Sequence, residues 1–372
     1  MHREVAQMSG SVVGNPQLVQ EPASSINESG EILDSVRACV TRQTAEYVEY
    51  LRTVERKVGR KSTRQIIDRV LPAFSKRTTG VIERCERIVQ DVRDRRARQL
   101  IKKEFRIRIA PWTKRNPFVN RALKKPRGYA GDYLMLELGY ENNPKYAGGL
   151  SGLFDRCFID ALFCVGYRKD KLKELIQSRL EMPRNKRRMF RMLSLGSGPC
   201  REWYELEREL RGRNVAPRQV ALSCLDQDIS ALGFARTRLK KNWLLTSAEC
   251  VQGNLLKFTE QPKWTERQES YDLIYGLGIA NYFYNESLKR VIGGPLPLLK
   301  VGGELAITHK DADRFNFPIA DWLCDWLFIK RSEEKFLKVV RESTLDAPGK
   351  YEARIGREDS GEIMFGIIRR EQ

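Results

Sequence analysis

The sequence predicts an α/β protein in which a doubly wound, mostly parallel sheet ends in an antiparallel hairpin and follows a helical module. Downstream of Arg188, apolar runs of strand length alternate with helix-forming stretches, which is typical of a parallel sheet covered by helices on both faces. Near the C-terminus, two further apolar runs at 351–355 and 363–368 flank a polar segment that ends in Gly361. Such a segment between two strand-like runs favours a hairpin.

The composition divides the chain into four segments. Residues 1–30 are rich in Ser, Gly, Asn and Gln and lack apolar periodicity, so we expect them to be disordered. Residues 31–110 repeat apolar side chains at three- and four-residue steps, which predicts two to four helices. Residues 111–187 begin irregular and aromatic and then become helical, and we expect them to cover the active site as a loop and helical cap. Residues 188–372 form the predicted sheet domain.

Positive charge is concentrated in the helical module. The chain has a net charge of +19, and residues 52–127 alone contain 25 Lys and Arg against 7 Asp and Glu. A block of one sign favours an anionic partner such as an acyl carrier protein, nucleic acid or a lipid surface. The alternative is a solvated helical face without a specific partner, because the basic residues alternate with apolar ones at helical spacing. Pro72 and Gly80 are expected to separate helices within the module.

Composition also limits the classes of protein to which the chain can belong. The eight cysteines form no CxxC pair and the chain has two histidines, so we predict no metal site and reduced thiols. No apolar stretch approaches the roughly 20 residues that a membrane span needs. The N-terminus contains acidic residues and lacks the apolar core of a secretory signal. We therefore expect a cytoplasmic protein without a transmembrane segment.

The sheet domain is predicted to contain five parallel strands before the hairpin. The strands are expected at 191–195, 219–225, 250–252, 271–275 and 304–308. The intervening helices are expected at 202–211, 230–241 and 285–299. In a doubly wound sheet, ligands bind beyond the carboxyl ends of the strands, where the strand order reverses. The residues that follow each strand are therefore the candidate site.

The first two strand ends offer a glycine turn and an acid. Strand one runs into Gly196-Ser197-Gly198, and such a turn lets a ligand lie close against backbone N–H groups. Strand two is followed by Asp226 and Gln227, and Asp226 is placed to accept hydrogen bonds from ribose hydroxyls. An ordinary turn between a strand and a helix is the alternative for the glycines. We predict that all five residues line a cofactor.

The later strand ends add a polar rim and the candidate catalytic residues. Asn254 follows strand three and offers a polar contact to a purine amino group. Gly276 follows strand four and is expected to border the cofactor, with Asn281 and Tyr282 just beyond it as candidate catalytic residues. His309 follows strand five and is the candidate general base if the nucleophile is a hydroxyl. The alternative for His309 is a loop histidine without a role in proton transfer.

A loop rich in Gly and aromatic residues lies upstream of the sheet. Its sequence, KPRGYAGDY, spans residues 125–133 inside an otherwise regular chain. Loops on a rigid scaffold often bind ligands, so Tyr129 and Asp132 are candidate contacts to the cofactor or substrate. A packed connecting loop is the alternative.

The glycine spacing favours a nucleoside cofactor with a short charged tail. A dinucleotide site needs a third glycine where Arg201 stands, and the chain contains no GxxxxGK[ST] motif. S-adenosylmethionine fits this spacing better. On SLGSGP, CLDQD, GNLLKF, YDLIYGLG and VGGELAI, the chain from about residue 188 onward resembles the class I S-adenosylmethionine-dependent methyltransferases. The resemblance implies a Rossmann-like methyltransferase sheet with Gly196, Gly198, Asp226 and Asn254 lining the cofactor.

A narrower resemblance covers roughly residues 111–345. KPRGYAGDY, SLGSGPCREW, LDQDISAL, YDLIYGLGIANYF and DWLCDWLFIKRSEEKFL are similar to the bacterial enzymes of extracellular factor biosynthesis, which esterify 3-hydroxypalmitic acid. This resemblance implies a carboxyl O-methyltransferase with the GYAGDY loop folded over the site. A carboxylate has a pKa near roughly 4 and needs no general base at neutral pH.

Three functions are consistent with these features. The first is a small-molecule O-methyltransferase that acts on a carboxyl or acyl substrate. The second is a nucleic-acid methyltransferase that docks through the basic helices. The third is a catalytically inert, methyltransferase-like scaffold whose basic module binds a partner.

Overall fold

The computed structural model describes residues 30–59, 63–141, 149–161, 163–181, 188–211 and 220–372. The predicted disorder of residues 1–30 therefore lies almost entirely outside the described residues. No helix within the described ranges is long and apolar enough to cross a membrane.

Three long helices form the N-terminal module, as the apolar periodicity predicts. They are α1 (Gly30–Val58), α2 (Arg64–Val89) and α3 (Arg95–Thr113). The expected breaks at Pro72 and Gly80 are wrong, because both residues lie inside α2. Pro72 is on the exposed side of the helix, while Phe74 and Val81 on the other side are fully buried. Packing of this apolar face outweighs the hydrogen bond that the proline removes.

Within the described ranges, four helices follow between the module and the sheet. They are α4 (Pro117–Lys124), α5 (Tyr133–Glu141), α6 (Leu150–Ala161) and α7 (Phe163–Glu181). The irregular, aromatic stretch thus contains two short helices, and the loop 125–132 connects them. Asn116 caps α4 by accepting a hydrogen bond from the backbone of Val119, and Pro117 occupies its first turn.

The sheet has seven strands in the order β3-β2-β1-β4-β5-β7-β6. The strands are β1 (Phe190–Leu195), β2 (Val220–Asp226), β3 (Ser247–Gln252), β4 (Tyr271–Gly276), β5 (Leu299–Lys310), β6 (Tyr351–Arg357) and β7 (Ile363–Arg370). The first five pair in parallel, and β7 pairs antiparallel with both β5 and β6. This arrangement confirms the predicted fold class, the Rossmann-like sheet of class I methyltransferases with a C-terminal hairpin and an N-terminal helical module.

Helices cover the sheet and follow its strands. They are α8 (Arg201–Leu210), α9 (Ile229–Leu239), α10 (Pro262–Thr265), α11 (Asn285–Gly293), α12 (Pro318–Cys324) and α13 (Glu333–Glu342). The order of strands reverses between β1 and β4, which neighbour each other although β2 and β3 come between them in sequence. The carboxyl ends of these two strands therefore mark the crevice in which such sheets bind ligands.

Strand β5 is longer than the sequence predicts. The expected strand covered 304–308, whereas β5 runs to Lys310 because β7 pairs along it to the end. His309 is opposite Met364 and Lys310 is opposite Ile363 in this register. Both residues are thus inside a strand instead of in the loop that follows it.

An ion-pair cluster around the buried Lys102 joins the helical module to the sheet domain. Lys102 of α3 is 4% exposed, and its Nζ lies 2.7 Å from a Glu86 carboxylate oxygen and 2.6 Å from Asp321 of α12. The indole N–H of Trp322 donates to the same Glu86 oxygen at 2.5 Å. Removing the lysine would leave two acids near each other without a cation. Such a loss of one partner lowers stability more than replacement of the whole ion pair by apolar side chains does.

We predict that Lys102→Met lowers the free energy of unfolding by about 2 to 4 kcal/mol, because Glu86 and Asp321 lose their shared cation. Lys103→Met on the same helix is the matched control, since Lys103 is exposed and its substitution should change stability by less than about 0.5 kcal/mol. Urea unfolding followed by circular dichroism measures both. Equal effects of the two substitutions would contradict the proposed role of the cluster.

Candidate active site

The turn after β1 depends on its two glycines. Gly196 and Gly198 have φ angles of +59° and +52°, in the left-handed region that favours glycine. A Cβ atom at Gly196 would also lie only 2.5 Å from Cγ2 of Ile279. The Ser197 backbone N–H between them donates to the carbonyl of Leu225 at 3.0 Å, which joins the turn to β2.

Asp226 ties the end of β2 to this glycine turn. Its side chain is 7% exposed, and its Oδ2 accepts a 2.8 Å hydrogen bond from the backbone N–H of Gly198. Its Oδ1 accepts from the backbone N–H of Asp228 at 2.9 Å. Burial raises the pKa of Asp226, and these backbone hydrogen bonds oppose that rise. Each carboxylate oxygen retains a lone pair that could accept from a ribose hydroxyl.

The side-chain hydroxyl of Ser197 lies in the same glycine turn and lacks a hydrogen-bond partner among the described residues. Its Oγ is buried and has no hydrogen-bond partner within the described ranges. A buried hydroxyl without a partner is uncommon, and one at a ligand-binding turn fits a group supplied by a ligand. Gly198 adds open space beside it, since the nearest atom to a Cβ built there is a Leu136 carbon at 3.9 Å. These features fit a cofactor with a polar tail.

The GYAGDY loop is anchored over the strand ends by ion pairs. Asp132 is fully buried and accepts two hydrogen bonds from the Arg121 guanidinium, at 2.5 and 3.0 Å. Arg127 lies 3.4 Å from Asp132 and 3.0 Å from Asp228, which begins α9. The loop is therefore fixed both to α4 and to the helix after β2.

Tyr129 lies within electrostatic range of the acid that ends β2. Burial and the nearby carboxylates of Asp226, Asp228 and Asp132 raise the pKa of its phenol, so the hydroxyl is protonated at neutral pH. A protonated phenol can donate a hydrogen bond as well as accept one. The structure thus brings together Tyr129, Asp226 and the glycine turn.

The segment after β4 forms one wall of the site. Gly276 lies against Ile279, and a Cβ atom there would be 2.8 Å from the isoleucine Cδ1. The side-chain amide of Asn281 donates to the carbonyl of Ile329 at 3.2 Å, so this buried residue is engaged in holding the wall. Tyr282 accepts a 2.8 Å hydrogen bond from the Trp326 indole, and burial raises the pKa of its hydroxyl to about 12.

The GYAGDY loop contacts this wall through Gly131. A Cβ atom on Gly131 would lie 2.8 Å from the Tyr282 hydroxyl and closer still to Trp326. The glycine therefore allows the loop to close onto the aromatic pair. This contact brings Tyr282 to the same side of the candidate site as the loop that contains Tyr129. The Asn281 side chain points instead to the segment that contains Ile329.

Two of the predicted cofactor residues lie at the exposed rim. Asn254 is exposed, and its Oδ1 accepts from the backbone N–H of Leu256 at 2.9 Å, which caps the short 3-10 helix Leu255–Glu260. Gln227 is also exposed, and its carbonyl accepts from the side chain of Gln252 at 3.1 Å. A purine amino group needs an acceptor, so the predicted contact would use the second lone pair of the same Asn254 oxygen.

His309 lies apart from this group. It is fully buried, its ring stacks on Phe336 with centroids 4.7 Å apart, and its Nε2 is 3.3 Å from the Arg331 guanidinium. Burial and the charges of Arg331 and Lys310 lower its pKa well below the ordinary value. The extension of β5 accounts for this position, since His309 points from the strand into the packing against α13.

Two cations near the site were not among the predicted site residues. Arg168 of α7 lies directly against Gly278, two residues beyond the end of β4. Lys310 is 3% exposed, and its Nζ lies 3.5 Å from the centre of the Phe315 ring and 4.6 Å from that of Phe328. Only the position of Lys310 directly after an apolar run was a signal in the sequence. The described residues contain no group of three or more His, Cys, Asp or Glu side chains placed to hold a metal ion.

Comparison with known proteins supports the fold. No family model matches the chain, and no curated protein matches it by sequence. A possible exported protein from Bordetella parapertussis is similar at 14% identity with a TM-score of 0.50, over 94% of this chain and 100% of that chain. The CMeT domain of the citrinin polyketide synthase has 14% identity and a TM-score of 0.47, over 92% of this chain and 94% of its own.

The mitomycin 7-O-methyltransferase MmcR has 13% identity and a TM-score of 0.42, over 92% of this chain and 96% of its own. Of these three similarities, only the first reaches a TM-score of 0.50. Identities this low show a shared fold and do not establish an activity.

We predict that Ser197→Ala weakens S-adenosylmethionine binding by about 3- to 10-fold, the net worth of one hydrogen bond. Without ligand, the same substitution should leave stability unchanged or slightly raised, because it removes a buried hydroxyl that has no partner. Isothermal titration calorimetry and thermal unfolding measure the two effects. Ser178→Ala, at an exposed position of α7, is the control, and a Ser197 variant that loses stability but not affinity would contradict this interpretation.

We predict that Lys310→Met raises the free energy of unfolding at pH 7 by about 1 to 3 kcal/mol. Burial lowers the pKa of Lys310 from 10.5 to about 8, so the folded protein bears the cost of a buried charge below pH 8. That cost disappears as the pH rises from 8 towards 10.5, and the difference between variant and wild type should shrink over this range. Chemical unfolding at several pH values tests this, with Lys335→Met, at an exposed position of α13, as control. A destabilised Lys310 variant at pH 7 would contradict it.

Proposed function

We propose that the chain is an S-adenosylmethionine-dependent O-methyltransferase that acts on a small-molecule carboxyl or acyl substrate. The main support is the hydrogen bond that joins Asp226 to the glycine turn. It lies where the strand order reverses, beneath the loop that contains Tyr129. In sheets of this topology, that crevice binds nucleoside ligands.

Each part of the cofactor has a matching group in this proposal. The carboxylate of Asp226 accepts from the ribose hydroxyls, and the glycine turn with the free Ser197 hydroxyl holds the charged amino-acid tail. Asn254 and Gln227 border the purine at the exposed rim. Tyr129 closes the crevice from above, and the ion pairs of Asp132 keep its loop in place.

The chain's own residues then have to orient the acceptor and exclude water. When bound, S-adenosylmethionine supplies a methyl group already activated on a sulfonium, which passes to the acceptor oxygen as the carbon–sulfur electron pair returns to sulfur. A carboxylate acceptor is ionised at neutral pH, so no side chain needs to remove a proton. His309 has no part in this proposal, because its ring is packed against Phe336. Tyr282 and Asn281 shape the wall on which the acceptor lies.

The basic helices are proposed to attract an anionic partner, either an acyl carrier protein or nucleic acid. Several cations of the block are used internally, since Lys102, Arg106 and Arg121 pair with acids of the described chain. Others, including Arg96 and Lys103 on α3, are exposed. RNA methylation remains the second candidate function on this ground, and RNA binding that weakens steeply with salt would support it.

The direct test is incubation of cell extracts with methyl-labelled S-adenosylmethionine, with and without the purified chain, followed by mass spectrometry. We expect a labelled small molecule whose label is released by mild base, as a methyl ester is. Asp226→Ala should abolish the labelling, and Asp346→Ala, at an exposed position, should not change it. Label found in RNA would replace the proposed acceptor with nucleic acid. Absence of any label would favour the inert scaffold.

A further inference from the structure

Three cysteines lie together beside the glycine turn and the strand that ends in Asp226. They are Cys200 at the start of α8, Cys224 on β2 and Cys250 on β3. The sulfurs of Cys200 and Cys224 lie 3.6 Å apart, and Cys224 is also hydrogen-bonded to Cys250. Cys224 is therefore the central member of this thiol cluster and contacts both of the others.

The pairing of β2 with β3 places Cys224 and Cys250 directly opposite each other. The two residues are register partners in this parallel pair, so their side chains lie on the same face of the sheet. Neighbouring strands lie about 4.8 Å apart, which is within the range of Cα separations that a disulfide spans. Both cysteines are free in the structure. The backbone thus holds them at a distance from which a disulfide can form without a rearrangement of the sheet.

The members of the thiol cluster differ in their access to solvent. Cys200 and Cys224 are fully buried, in the core between the sheet and helices α8 and α9. Cys250 is partly exposed, and its strand β3 is at the edge of the sheet. A dissolved oxidant therefore reaches Cys250 before it reaches the two buried thiols.

Cys250 is also the more readily ionised member of the opposed pair. The hydrogen bond from Cys224 lowers the pKa of the Cys250 thiol, and Arg236 of α9 lowers it further, while burial and Glu249 oppose them. The pKa of Cys224 is raised well above its ordinary value, first by its hydrogen bond with Cys200 and then by that with Cys250. Cys224 thus remains a protonated donor. The thiolate is the form of cysteine that reacts with peroxides.

We propose that Cys250 and Cys224 form a reversible oxidation site for hydrogen peroxide, in which Cys250 is oxidised first and Cys224 then closes a disulfide between β3 and β2. The Cys250 thiolate attacks one peroxide oxygen, the O–O bond breaks and hydroxide leaves, which gives a sulfenic acid. The Cys224 sulfur then attacks the Cys250 sulfur, the S–O bond breaks, and the hydroxyl leaves as water with the Cys224 proton. Two thiols are oxidised, and one peroxide molecule is reduced to water.

In this proposal Cys224 protects Cys250 from irreversible damage. A sulfenic acid that meets no thiol can be oxidised further to sulfinic and sulfonic acids, whereas a disulfide is reduced again by small thiols. The new bond would lie two residues before Asp226 along β2, at the edge of the proposed cofactor crevice. The inference goes beyond the proposed function and does not depend on it, because no step involves S-adenosylmethionine.

The test treats the full-length chain with hydrogen peroxide, alkylates the remaining thiols and maps the proteolytic peptides by mass spectrometry. We expect the wild type to yield linked peptides that contain Cys224 and Cys250, and dithiothreitol should restore both thiols. Cys250→Ser should lose this disulfide completely and leave Cys224 reduced. Cys39→Ser is the matched control and should form the disulfide as the wild type does, since Cys39 is also partly exposed but lies on α1.

A second variant, Cys224→Ser, separates the two steps of the reaction. Its serine hydroxyl can still donate a hydrogen bond to the Cys250 thiolate but cannot form a disulfide. We expect this variant to accumulate a sulfenic acid at Cys250 that dimedone traps. With excess peroxide, Cys250 should pass to a sulfinic acid that dithiothreitol does not restore. Cys200→Ser should leave the disulfide between Cys224 and Cys250 unchanged.

Three results would overturn the inference. The first is a wild type that keeps all its thiols at a peroxide concentration that oxidises free cysteine in the same buffer. The second is a disulfide that joins Cys200 to Cys224 while Cys250 stays reduced. The third is irreversible oxidation of Cys250 to the same extent with and without Cys224. Circular dichroism checks that each variant is folded, and the peptide map of the wild type decides the first two results without any variant.

Discussion

The hydrogen bond from the Gly198 backbone to the Asp226 carboxylate fixes two loops on which the rest of the site depends. Because β1 lies between β2 and β4, the connections after β1 and β4 leave the sheet on opposite sides and open a crevice between them. The Asp226 carboxylate draws the end of β2 onto the turn after β1. Tyr129 then lies beside that acid, and Gly131 allows its loop to close on Tyr282.

Buried cations differ in whether they have acidic partners, depending on where they lie in the protein. Where helices dock, buried cations meet acids, as Lys102 does with Glu86 and Asp321 between the module and the sheet domain. Arg168, which lies against Gly278, and Lys310, at the end of β5, are buried without such partners in the described part of the chain. Binding sites commonly contain groups that reduce stability until a ligand satisfies them. In the basic helical module, some cations pair with acids inside the protein and others are exposed.

The sequence predicted those parts that depend on local patterns. Apolar runs located the strands, and the residue types that follow each run located the glycine turn and Asp226. Features that depend on tertiary packing were missed or misplaced. Pro72 does not break α2, because the buried face of that helix continues past it. His309 was expected in a loop, but Met364 of β7 pairs opposite it and extends β5. The burial of Lys310 depends on aromatic rings that are distant from β5 until the chain folds.

We propose that this chain holds S-adenosylmethionine at the crevice between β1 and β4. Equilibrium dialysis of the full-length protein against labelled S-adenosylmethionine tests it most directly. We expect retention of about one equivalent at micromolar to submillimolar ligand, the range usual for enzyme substrates, with displacement by S-adenosylhomocysteine. Dialysis that leaves equal label on both sides of the membrane, with the protein shown to be folded, would contradict it.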